Sequence, residues 1–440
     1  MLGGYKMLSF DENGWLYPDP LKNITHDIGI VEINDLLKLA NEEDFWSACV
    51  REDVKKRLEK DKKGVRLDWF VEDLMIKNTG GTVISMPFGK DIITFNSNRH
   101  FFRGENQQFL KSLPSLRRKQ EGKSKYESEL IKVIAVMRSF QFLKFIWKID
   151  VVPFWKAKLS DINIDALAQH YGFDTCLLDL TNDFRTALFF ATCKYDYKTD
   201  SYRPLTKKDI EATEDSKYGV IFHSPNWVLD YLNGGSFEWH MHRLNNPDKG
   251  PYSFYSGYLD GMAFQIGYQP LMRCHHQSGY TMPMMNAIPL QSDNRFEKLR
   301  FLQSEELSNR VYEMMDKGKI IFPHEGIGKS LDILRTIQKA VIFSEDDLLY
   351  AYDFGEVDKK MFPTIDNLRK AITTFQVDGK CVSIQKGEIE YPISPSVLQE
   401  INDEYNGRNL LDDIGNMIHQ YPEQRRYREK RCIDIYGKLI

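Results

Sequence analysis

The sequence predicts an α+β fold, with a mixed or antiparallel sheet flanked by helices. Three observations lead there: several short β-type runs, longer stretches with apolar residues at three- and four-residue steps, and a hydrophobic share of 42% with 13% aromatics, ample for a buried core. Length sets the scale. At 440 residues the chain holds about three domain-sized units, or two with insertions.

Taken in order, residues 33–60 read as a helix, because Ile33, Leu36, Leu37, Leu39 and Ala40 recur at helical steps and Phe45, Trp46 and Cys49 extend the stripe. Charges over 51–63 fill its outer face, and Gly64 is a natural stop. The runs 82–87 and 91–95, separated by Phe88-Gly89-Lys90, read as a hairpin or adjacent strands. An aromatic strand follows at 101–105. Residues 126–149 read as a helix with Leu130, Val133, Ile134, Met137, Phe140 and Leu143 on one face. A shorter helix covers 163–171, capped by Asp161 or Asn163 and stopped at Gly172. The stretch 183–195 reads as a buried helix, 196–216 as a polar surface loop, and 220–222 and 261–268 as strands. Amphipathic helices are expected at 296–315, 330–342 and 365–374, a polar strand-like stretch at 377–389, and a last helix at 396–421. The composition shifts suggest an α-rich segment over 1–80, a central domain over 81–375 and a small C-terminal segment over 376–440.

Composition excludes several classes. Lys+Arg is 59 and Asp+Glu is 63, a net charge of −4, so no global field draws the chain to nucleic acid or anionic lipid. The basic run Arg425, Arg426, Arg428, Lys430 and Arg431 is diluted by Glu423 and Glu429 and reads as a solvated helix end. The six cysteines show no CxxC and no regular spacing, which argues against a disulfide framework or zinc ribbon and for a reducing compartment. With no apolar run near the roughly 20 residues of a membrane helix, and no basic-then-apolar start, a cytoplasmic location is expected. The histidines and cysteine of His240-Met241-His242 and Cys274-His275-His276 match no metal-ligand spacing, so no metal is expected. Nor is there a GxSxG elbow, a Walker loop or a GxGxxG fingerprint, which excludes the common kinase, ATPase and dehydrogenase designs.

Three segments carry chemistry. The first is Phe102-Arg103-Gly104-Glu105, followed by Leu113-Pro114-Ser115-Leu116-Arg117-Arg118. The second runs from Ala166-Leu167-Ala168-Gln169-His170-Tyr171-Gly172 through Thr175, Asp179, Thr181 and Asn182 into Thr186-Ala187-Leu188-Phe189-Phe190-Ala191. The third comprises Arg273, Gln277-Ser278-Gly279-Tyr280 and, later, Met361-Phe362-Pro363 with Leu368. In this order they resemble the FRG domain, a bacterial and phage module named after its Phe-Arg-Gly triplet, over roughly residues 95–375. The pattern departs from the family at Cys176, where arginine is usual, and at Leu180, which replaces a usual tryptophan.

The family label carries no activity by itself, so the chemistry is read from the residues. Arg103 offers a planar fork for phosphate or carboxylate, and Gly104 lets the backbone approach a planar ligand. An Arg-Gly pair on a first core strand, with the Leu-Phe-Phe-Ala run after the second segment, is similar to NAD-cleaving ADP-ribosyltransferases. That resemblance implies NAD as cofactor, Arg103 on its ribose or phosphate, and Gly104 on the nicotinamide amide. Gln277 stands nearest the late glutamate of those enzymes. His170 beside Asp179 has the makings of a general base. Glu105, Gln169, Tyr171, Thr175, Thr181 and Asn182 complete the expected ligand set. The alternative is a non-catalytic module of a bacterial or phage-conflict system that senses a nucleotide or peptide and works through a protein partner. A structural role stands beside each reading: Arg103 as the ion-pair partner of Asp179, and His170 as a helix-end cap.

Overall fold

The computed structural model describes residues 30–41, 81–85, 91–95, 100–153, 162–225, 261–266, 269–271, 273–277, 279–285, 288–405 and 418–419. The expected helix beyond residue 41, the loop 88–90, His240, His242 and Arg425–Arg431 lie outside them. Strand β1 (Ile30–Val31) leads into helix α1 (Ile33–Asn41), whose Leu36, Leu37, Leu39 and Ala40 are buried as the helical stripe predicts. The antiparallel pair β2 (Gly81–Ser85) and β3 (Asp91–Phe95) follows, then β4 (His100–Glu105).

Helices α2 (Ser115–Gln120), α3 (Lys125–Ile146) and α4 (Ile164–His170) come next. The Ser124–Glu127 capping box fixes the start of α3. This helix is buried on nearly every side, because it sits between two hydrophobic clusters that would otherwise meet water across it. Asn163 caps α4 through its side chain, and Gly172, at φ 83°, turns the chain out of that helix into strand β5 (Leu177–Thr181). Asp183 caps helix α5 (Phe184–Thr192) by accepting from the amides of Arg185 and Thr186.

The expected helix to residue 195 ends at Thr192. Cys193 is already extended, and β6 (Cys193–Asp196) pairs with β7 (Ser201–Pro204). The stretch expected as a loop is therefore a hairpin, followed by the short helix α6 (Lys207–Ile210). Its tyrosines, Tyr195 and Tyr202, pack against Phe322 in tilted and edge-on contacts and give the hairpin an apolar side. Strands β8 (Tyr218–Pro225) and β9 (Phe264–Gln265), helix α7 (Arg273–His276), and strands β10 (Gly279–Pro283) and β11 (Glu297–Leu302) complete the main sheet. The single helix expected over 296–315 is corrected here: Leu299 and Phe301 alternate with Lys298 and Arg300 as strand β11, and Ser304 then caps helix α8 (Glu305–Met314). Period two won over period 3.6 because Leu299 and Phe301 fill the core under α5.

Helix α9 (Leu331–Gln338), strand β12 (Ile342–Ser344), and helices α10 (Glu345–Phe354) and α11 (Ile365–Thr373) follow. After them come β13 (Gln376–Val377), β14 (Lys380–Cys381), β15 (Ser383–Gln385), helix α12 (Pro395–Asp403) and β16 (Ile418–His419). The helix expected over 396–421 does not run through: residues 418–419 are extended and pair with β3. Parallel pairing joins β12 to β15, and Ile401 and Tyr405 pack into the cluster holding Ile327 and Leu334.

The fold is α+β. Its main sheet has the order β1-β11-β8-β4-β5-β10-β9, antiparallel except for the β1–β11 pair. Phe102, Ile221, Leu299 and Phe301 pack on α5, while Phe101, Leu178, Leu180, Phe222 and Met282 build the core on the other face. Among the described residues no helix is long and apolar enough to cross a membrane.

Candidate functional site

The residues expected at one site fall on two faces of the sheet. On β4, Phe101, Arg103 and Glu105 alternate with Phe102 and Gly104; on β5, Leu178 and Leu180 alternate with Leu177, Asp179 and Thr181. Phe101 shares its core with Leu178 and Leu180, and Phe102 packs against α5. Alternation therefore sets the Arg103 side chain on one face and the Asp179 side chain on the other.

Arg103 is accounted for within the protein. Its Nε donates to Glu105 Oε1 at 2.9 Å, and its Nη1 donates to the backbone carbonyl of Asp179 at 2.9 Å. The expected Arg103–Asp179 carboxylate pair is replaced by Glu105, two residues along the same strand and on the same face. Strands β4 and β5 share the Phe102–Thr181 register, and the guanidinium takes the next free carbonyl beyond it. Glu105 is buried and accepts from Ser112 Oγ at 2.6 Å through its other oxygen. Gly104 owes its identity to packing: an added Cβ would collide with the Ala187 carbonyl and lie 2.8 Å from Ala191 N. The space expected to admit a planar ligand is filled by α5.

On the α5 side a second group does come together. His170, the last residue of α4, is buried, and its Nε2 is 3.8 Å from Asp179 Oδ1. Gly279 of β10 packs closely beside them: a Cβ there would lie 3.0 Å from Ile266 Cδ1 and 3.1 Å from the Cys274 carbonyl, and 3.6 Å from that nitrogen. Thr281, paired with Asp179 across β5–β10, is fully buried on the same face. His170 Nε2, Asp179 Oδ1 and Thr281 Oγ1 are each buried and without a hydrogen-bond partner. Three orphaned polar atoms on one patch are costly unless something fills them. The Asp179 side chain is 43% exposed, so the patch opens to solvent there.

Burial pushes the His170 pKa below 6.5, against the upward pull of Asp179 and of the Gln277 side chain beside it. The ring is neutral at pH 7, so it offers one donor and one acceptor. Gln277, buried after α7, also anchors the patch through its backbone: its carbonyl accepts from Thr181 Oγ1 at 2.8 Å, and Thr181 Oγ1 in turn accepts from Asp183 N at 3.1 Å. Thr175 Oγ1 donates to Gln169 Oε1 and accepts from Leu177 N, which ties the 169–175 loop to β5. Asn182 is buried at the β5–α5 corner. Tyr171 points away from the patch and donates to Glu325. Of the expected set, His170, Asp179 and Gln277 meet; Arg103, Gly104 and Glu105 belong to the other side or to packing; Gln169, Tyr171, Thr175 and Thr181 hold the frame.

Sequence reasoning missed Thr281 and Glu325. Thr281 sits two residues beyond Gly279, and the strand alternation of β10 would have placed it. Glu325 carries no local pattern.

Residues 98–200 match the family model of the FRG domain. The chain carries an FRG domain. The match takes in β4, β5, α2 to α5 and β6, and ends at Asp200, one residue before β7. No curated protein and no solved structure matches the chain. Within the FRG domain lie His170 and Asp179, whereas Gln277, Gly279 and Thr281 come from the chain beyond the match. The patch is thus built jointly by the FRG domain and β10.

Proposed function

We propose that the His170–Asp179–Thr281 patch is the ligand site of this FRG-domain protein, and that it takes a nucleotide-type ligand by an edge carrying neighbouring donor and acceptor groups. One observation carries the reading: three buried polar atoms, from three elements, lack partners and share one face. A carboxamide or an amino-purine edge fits that demand. Its N–H donates to Asp179 Oδ1, while its oxygen or ring nitrogen accepts from the imidazole or from Thr281 Oγ1. Nicotinamide and adenine nucleotides both present such an edge, and NAD presents two.

The reading is of a sensing module rather than an NAD-cleaving enzyme. The features on which a transferase reading rests, Arg103 and Gly104, are engaged by Glu105 and α5. Calorimetry with NAD, together with a nicotinamide-release assay, tests this on the wild type and on His170→Gln. Binding that is weakened at least tenfold in the variant, without nicotinamide release, is expected. Release of nicotinamide by the wild type would make the site an enzyme with His170 as its base. No heat at millimolar NAD, where an interaction of about −4 kcal/mol still shows, would remove the nucleotide reading.

A further inference from the structure

Behind His170 lies a buried network that the ligand patch does not use. Tyr171 Oη and Tyr405 Oη both donate to Glu325, the latter to Oε2 at 2.7 Å. Arg273 Nε is 3.4 Å from Glu325 Oε1, and Arg273 Nη2 is 2.6 Å from Asp200 Oδ2. Tyr195 donates to the other oxygen of Asp200. The guanidinium is sandwiched between the rings of Tyr171 and Phe322, at 4.6 and 3.9 Å from their centroids. From this fixed position Arg273 Nη1 donates to the backbone carbonyl of His170 at 3.3 Å. One chain of contacts therefore runs from Tyr405, just beyond α12, through Glu325 and Arg273 to the carbonyl of the residue whose imidazole faces the patch.

We propose that Glu325 and Arg273 are positioning residues through which the docking of α12 and Tyr405 sets the placement of His170. The geometry suits that role. Glu325 is held from three sides, by Tyr171, Tyr405 and Arg273, and Tyr171 is the next residue after His170. Loss of the Tyr405 contact takes one donor from a buried carboxylate, and rearrangement of its contacts then moves Arg273 or Tyr171. Either movement displaces the α4 C-terminus. Sequence segments more than two hundred residues apart are joined in this way, and all but His170, Tyr171, Tyr195 and Asp200 lie outside the matched FRG residues. The C-terminal segment is then a control element: undocked, it leaves the patch misaligned.

The inference rests on reading His170 as the ligand-facing group, and its test reads the imidazole directly so that the two can fail separately. The charged and polar groups facing His170 are Asp179, Gln277, Arg273 and Glu325. The imidazole resonances of the full chain are followed by NMR from pH 8 to pH 4 in wild type, Tyr405→Phe and Glu325→Gln. Tyr405→Phe, which removes one oxygen, is expected to keep a cooperative melt and to shift the His170 signals and titration midpoint. Glu325→Gln is expected to move the midpoint downward, since the carboxylate favours the protonated ring. Should Glu325→Gln fail to fold, Tyr405→Phe decides alone. His170 signals that superimpose on wild type in the folded variants would overturn the proposal, whatever NAD does.

Discussion

Arg103 and Glu105 are paired along one strand at 2.9 Å, with the glutamate carboxylate buried and also bound by Ser112 Oγ. Removing the arginine leaves that carboxylate with one donor and the Asp179 carbonyl without its side-chain donor. Breaking a fully buried pair costs about 3–5 kcal/mol; Arg103 is one-fifth exposed, so Arg103→Ala should cost about 2–3 kcal/mol. Arg103→Lys should cost less, keeping the charge but not the fork. Urea unfolding measures both. A stability unchanged in Arg103→Ala would mean that the pair does not hold the strand.

Gly104 has no room to grow. Gly104→Ala pushes a methyl into the α5 backbone at Ala187 and Ala191, which cannot rotate away as a side chain would. The expected loss is about 3 kcal/mol or more, at the upper end for overpacking. Thermal melting of the variant should fall well below wild type, and an unchanged melting temperature would contradict the close approach of β4 and α5.

Burial holds His170 below its ordinary pKa of 6.5 and His223 well below it, with His100 opposing the His223 charge further. The unfolded chain therefore takes up protons first. Their contribution to stability is fully present above about pH 6.5 and is lost as pH falls from there toward the folded pKa values, at up to about 1.4 kcal/mol per pH unit for each group. His170→Gln should flatten the fall between pH 6.5 and 5, a range above the ordinary carboxylate pKa values. Urea titrations at stepped pH check it: a slope identical to wild type would show that His170 is not buried neutral.

Much of the fold was legible because local signals agreed with tertiary ones. The stripe of α1, the Asn163 cap and Gly172 stop of α4 and the strand pair β2–β3 each follow from side-chain spacing or cap chemistry. The errors share a cause. Residues 296–302 carry apolar residues that fit either period, and only the core beneath α5 decides for a strand. The β6–β7 hairpin looks polar because its tyrosines spend their rings on Phe322 and Phe189. The site was half legible. His170 and Asp179 stood in a recognisable segment, but the separation of Arg103 from Asp179 depends on the register Phe102–Thr181, which no spacing within either strand encodes. Glu325 and Tyr405 were invisible because their role exists only through contacts distant in sequence.

The central claim is that ligand chemistry sits at His170 and Asp179 and not at the Phe-Arg-Gly strand. Calorimetric titration of NAD into wild type, Asp179→Asn and Arg103→Lys tests it most directly. Asp179→Asn turns the acceptor edge partly into a donor and should weaken binding at least tenfold, while Arg103→Lys should stay within about threefold of wild type, a tenfold change corresponding to about 1.4 kcal/mol. The opposite order, with affinity lost in Arg103→Lys and kept in Asp179→Asn, would place the ligand on the other face of the sheet and contradict the account.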